Sequence, residues 1–141
     1  MNRRHSLAAR LQRLADFAVV FEAPGFVAGE YVTPVSEPGV GSMPYAHYHP
    51  EVDRCVTLAY EDGWVRANFD WGVWSATAEA RTLRDDPEAL ASATPDQLAK
   101  LMTVLVRQER FSEGALLWAF EAGLMLGIVR RAGVLARTAV G

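Results

Sequence analysis

The sequence predicts an all-α fold, or nearly so: a single compact helical domain with a long Pro/Gly-rich loop after the first helix. Three observations carry this expectation. Apolar residues recur at steps of three and four through most of the chain, the helical stretches open on capping residues or prolines, and no segment alternates apolar and polar residues long enough to specify a sheet. With 141 residues, 50% of them hydrophobic, the chain can bury a core without disulfides or a structural metal. Residues 1–141 read as one domain, in which 23–50 is a long irregular connection and 51–137 the helical core.

Leu7, Leu11, Leu14, Ala18 and Phe21 form one stripe, so the first element is an amphipathic helix. Its basic start resembles an export signal, but Arg10, Arg13 and Asp16 interrupt the uninterrupted apolar run of about 7–15 residues that a signal requires. Between Ala23 and Pro50 lie Pro24, Pro34, Pro38 and Pro44 with Gly25, Gly29, Gly39 and Gly41, where no helix can run. Phe26-Val27-Ala28 and Glu30-Tyr31-Val32 are short extended pieces at most. The aromatics Phe26, Tyr31, Tyr45 and Tyr48 predict that this connection packs on the core.

Pro50 suits a first helical position, with His49 or a neighbour as cap and Gly63 to end the helix. Asp70 can cap a helix from Trp71 in which Trp71, Trp74 and Ala78 share a face. A short turn starts at Pro87. Thr94-Pro95-Asp96-Gln97 is a capping box, and Leu98, Leu101, Met102, Leu105 and Val106 follow it at helical spacing. Ser112 reads as the cap of the next helix, through Ala115, Leu116, Ala119 and Phe120, which Gly123 closes. A last helix carries Leu124, Ile128, Ala132 and Leu135.

Composition removes several function classes. The single Cys55 precludes an internal disulfide and suits a reducing, cytoplasmic setting. A formal charge of -3 gives no general attraction to nucleic acid or anionic membrane. The apolar stretch from Ala115 to Val129 is shorter than the ~20 residues that cross a bilayer, and Glu121 interrupts it. There is no GxGxxG, GxxxxGK[ST] or GxSxG, and Lys100 is the only lysine, so the sequence implies no cofactor and leans away from catalysis.

Chemistry concentrates late in the chain. Arg107 and Arg110 lie three apart on one helix face and call for a counter-charge, with Asp70, Glu113 and Glu121 as candidates within the chain. The bland account is an ion network at a helix corner. The functional one is a site in which both guanidinium groups hold a small anion while Asp70 or Glu113 acts as base or orienter.

Phe69-Asp70-Trp71, then Arg107-x-x-Arg110-Phe111-x-Glu113-Gly114, then Phe120-Glu121-x-Gly123 and Arg130-Arg131 resemble a family of small bacterial proteins classed only as a domain of unknown function. The resemblance runs from about Glu51 to Arg131 and leaves the 23–50 connection outside. It implies no activity and marks which residues to follow.

Three other groupings have simpler accounts. His47, His49, Glu51 and Asp53 offer metal-ligand atoms, but Pro50 keeps them off one regular element and no standard zinc spacing is present, so a loop leading into a helix explains them better. Arginines cluster at Arg3, Arg4, Arg10 and Arg13 and again at Arg130, Arg131 and Arg137, yet no basic aromatic platform accompanies them, which argues against nucleic acid. Ala115, Ala119, Ala122, Gly123 and Gly127 form a small-residue stripe that admits a close helix neighbour, within the chain or in a homodimer. The reading that results is a non-catalytic interaction or structural helical module, as a homodimer or with another protein partner.

Overall fold

The computed structural model describes residues 5–33 and 44–139, and over these the chain is mostly helical with one small two-stranded sheet. The first stripe forms α1 (Leu7–Ala15) and α2 (Phe17–Phe21) rather than one helix, with the break at Asp16. Ser6 caps α1 by accepting from the Ala9 amide at 3.1 Å. Beyond the break α2 also packs on the helices Leu124–Thr138 and Pro50–Glu61, and its aromatic side chains add a contact: Phe17 and Phe21 stack at 5.6 Å, and Phe21 meets Phe120 edge-on at 4.8 Å.

The connection expected to be irregular contains β1 (Gly29–Val32) and β2 (Tyr45–Tyr48), paired antiparallel with Gly29 opposite Tyr48 and Val32 opposite Tyr45. A four-residue strand shows each face only two side chains, too few for a period of two to be read. Pro34, Pro38, Gly39 and Gly41 lie outside the described residues.

His49 opens α3 (Pro50–Glu61), its Nδ1 accepting from the Glu51 amide at 3.1 Å. Asp62 follows, buried, and takes a hydrogen-bonded ion pair from Arg13 Nε at 2.7 Å that ties α1 to the end of α3. Gly63 then turns the chain at φ +78°. Trp64 and Val65 enter the core, where the Thr103 hydroxyl accepts from the Arg66 amide at 2.9 Å and donates to the Ala99 carbonyl at 2.7 Å.

The helix expected from Trp71 through Ala78 divides into α4 (Trp71–Ser75) and α5 (Ala78–Asp85). Thr77 causes the division: its hydroxyl donates to the Trp74 carbonyl at 2.7 Å and accepts from the Ala80 amide at 3.2 Å, ending one helix and capping the next. After α6 (Pro87–Leu90), the Thr94–Gln97 capping box opens α7 (Pro95–Phe111) with both reciprocal bonds made.

Ser112 does not cap the following helix. It is the extended C-terminal cap of α7, and Gly114, at φ +106°, opens α8 (Ala115–Glu121). Gly123 turns the chain again into α9 (Leu124–Thr138). α1 packs most extensively on α9, and one cluster of buried side chains reaches from Leu11 to Ala132. Part of the small-residue stripe is used inside the chain, while Ala122 and Gly123 are exposed. Ala119 is buried, and Gly127 faces Leu90 so closely that a Cβ would lie 2.5 Å from Leu90 Cδ2. Among the described residues no helix is long and apolar enough to cross a membrane.

Candidate functional site

The turn from α7 into α8 collects several polar contacts between distant segments. Gly114 brings no side chain to cap α8, so the cap comes from elsewhere. The Glu109 carboxylate, five residues upstream, accepts from the Gly114 amide at 3.1 Å and from the Leu116 amide at 2.9 Å. The Tyr48 hydroxyl, arriving on β2, donates to Glu109 at 2.9 Å and accepts from the Leu117 amide at 3.1 Å. Three amides of the first turn of α8 are thereby satisfied, and a negative charge sits at the positive end of the helix. Burial, followed by the hydrogen bond and charge of Glu109, pushes the Tyr48 hydroxyl well above the usual tyrosine range.

Two further contacts hold the hairpin to this corner. Glu113 accepts from the backbone amide of Ala46, satisfying a donor on the edge of β2. Tyr31 lies over Gly114, where a Cβ would come 1.9 Å from its hydroxyl oxygen.

Beneath the corner lies a cleft of about 670 Å³ between the α4–α5 pair, α7 and α8. Leu101, Leu105 and Leu124 supply apolar surface, and Tyr31 and Trp118 stand in it half exposed. Gln108, Ser112 and Glu113 form its polar end, and Arg84 and Asp85 contribute a second charged position. Arg84 is bound by Asp85 through both Nε, at 2.8 Å, and Nη2, at 2.9 Å, and this hydrogen bonding raises the arginine and lowers the carboxyl. Trp74, also in the lining, spends its indole N–H on Glu79 at 2.8 Å.

The structure disperses the residues singled out by sequence. Asp70 caps α4, accepting from the Val73 amide at 3.2 Å. Arg107 is half-buried and Arg110 exposed, and neither has a side-chain hydrogen bond or ion pair among the described residues. They are not tied to Asp70 or Glu113, and neither lines the cleft; Glu113 does. Glu121 is exposed at the end of α8, beside a smaller depression with Phe21 and Phe26. His47 sits exposed on β2 opposite Glu30, His49 is committed to the Glu51 amide, Glu51 pairs with Arg54 at 2.6 Å, and Asp53 is exposed. Among the described residues no three His, Cys, Asp or Glu side chains converge on a metal position. Cys55 is buried, which pushes its thiol up to about 12.

Sequence reasoning passed over Glu109 and the pairing of Tyr48 with it. The available signal was a glycine opening a helix with an acid five residues before it. That acid stands inside the Arg107–Arg110 string, where the arginines draw attention first.

No curated protein and no solved structure matches the chain. A family match covers residues 6–138, so it begins well before Glu51 and takes in the 23–50 connection and its histidines, which the motif string leaves outside. The chain belongs to DUF6508, a family of unknown function.

Proposed function

We propose that this protein is a non-catalytic, cytoplasmic interaction module that works as a homodimer, two copies meeting through the face around Phe111. The observation that carries this reading is the state of Phe111 itself. It is 81% exposed at the end of α7, with its ring 6.0 Å from that of Trp71 and with Val73 also exposed on the same short helix as Trp71. Aromatic and arginine side chains together are the composition enriched in protein interfaces. This face also carries charges of both signs that lack an ionic partner among the described residues: Arg107 and Arg110 on α7, and Asp70 immediately before Trp71. A two-fold axis sets such a surface against its own complement. The non-catalytic part of the reading is supported by the cleft, whose Arg84, Asp85 and Trp74 are each engaged by a neighbouring side chain. The buried free thiol of Cys55 supports a reducing compartment.

Sedimentation velocity tests it. The wild-type chain is expected to run at twice its monomer mass and Phe111→Ser at the monomer mass with an unchanged melting temperature. A wild-type monomer at every concentration, or a dimer indifferent to Phe111→Ser, overturns the reading. The two arginines without a carboxylate partner also favour a second reading, a small-anion site. Phosphate titration of the amide spectrum tests that one, with Arg110→Ala expected to abolish any saturable shift.

A further inference from the structure

The cleft under the α7–α8 corner is a separate feature, since its lining includes neither Trp71, Phe111, Arg107 nor Arg110. Its volume of about 670 Å³ falls within the range of about 300–1,000 Å³ that small-molecule sites occupy. The chemistry of the lining identifies the class of occupant. Three charged side chains reach it, Arg84, Asp85 and Glu113, and the first two neutralise each other through a two-pronged hydrogen bond. Glu113 remains. It accepts through Oε1 from the Ala46 amide, a neutral donor, and it has no ion pair among the described residues.

The cleft that holds this carboxylate also has aromatic walls. Tyr31 reaches the adjoining Gly114 with its hydroxyl, Trp118 stands one turn along α8, and both rings are substantially exposed in the cleft. A carboxylate that shares a cleft with exposed aromatic rings can attract an ammonium group twice over, by a charge-assisted hydrogen bond and by the ring quadrupoles. The leucine surface beyond it suits an apolar body, and an anion would meet an uncompensated negative charge.

We propose that this cleft binds a small organic cation, an ammonium on an apolar body of about one ring, with Glu113 as its counter-ion and Tyr31 and Trp118 as its aromatic walls. The proposal does not depend on self-association.

Three ligands with one phenylethyl body and different charge test it on the full chain, followed by tryptophan fluorescence and amide chemical shifts: 2-phenylethylamine, 2-phenylethanol and 3-phenylpropionate. The amine is expected to bind saturably and about tenfold or more tighter than the alcohol, with the carboxylate weakest. Glu113→Gln keeps an oxygen for the Ala46 amide and is expected to bring the amine down to the level of the alcohol. Trp118→Ala is expected to weaken amine and alcohol together. Gln108→Glu, which adds a second carboxylate at the same end without touching the hairpin contact, is expected to widen the preference for the amine. No saturable amine binding by about 10 mM overturns the proposal. So does equal binding of amine and carboxylate, or an amine preference that survives Glu113→Gln.

Discussion

The Tyr48 hydroxyl and the Glu109 carboxylate meet at 2.9 Å, and together they cap a helix that neither belongs to. Glu109→Ala strips the acceptor from the Gly114 and Leu116 amides and is expected to cost about 2–3 kcal/mol, whereas Tyr48→Phe, which leaves the carboxylate in place, costs about 1 kcal/mol. Urea denaturation of the two variants and their combination checks this. Because the two groups share one network, the double variant is expected to lose less than the sum of the singles.

Stability is expected to fall in alkali for two identifiable reasons. Tyr48 is raised in the folded chain by burial first and then by Glu109, so the stability held by its neutral hydroxyl is complete below the unfolded value of about 10 and is lost as pH rises through the folded value. Cys55 is raised by burial to about 12, so its contribution is complete below about 8.5 and lost as pH rises toward 12. Denaturation midpoints measured across this window are expected to decline less steeply in Tyr48→Phe than in the wild type.

The same burial protects Cys55 chemically. Its thiol, 2% exposed, is expected to leave a thiol-specific disulfide reagent unconsumed in the native protein and to react one for one after unfolding in urea. Stoichiometric labelling of the folded chain would contradict the burial.

Gly114→Ala is expected to act through two separable costs. A residue with a Cβ is strained at φ +106° by about 1–2 kcal/mol, and the added carbon also meets the Tyr31 hydroxyl. Introducing the substitution into Tyr31→Ala relieves the second cost and leaves the first. Thermal melts of the single and double variants are therefore expected to show a smaller penalty in the Tyr31→Ala background.

What was legible in the sequence was local. The Thr94–Gln97 box, Pro50 behind His49 and Asp70 ahead of Trp71 each declare a helix start, because the bonds that make them span two or three residues. Thr77 was as local a signal, but Trp71, Trp74 and Ala78 share a helical face and so concealed the break. Ser112 was a reasonable cap by residue type. The turn instead needed a residue at positive φ, which placed the start of α8 two positions later, at Gly114. The site was less legible, since Tyr48 and Glu109 are brought together across 61 positions and no spacing rule connects them. Arg107 and Arg110 look like half of a network because charge is their conspicuous property, yet of the partners expected from the chain Asp70 serves as a helix cap, Glu113 as a strand-edge acceptor, and Glu121 is exposed at the end of α8.

The packing of α1 against α9 also governs the order in which this protein can be made. Leu11 and Leu14 are buried in the same cluster as Ile128, Val129 and Ala132, so the surface they require is translated more than a hundred residues after them. At about 5–20 residues per second, α1 waits on the order of ten seconds with its leucines uncovered. The core can close only after α9 has left the ribosome, which makes the nascent α1 a segment in need of shelter during synthesis.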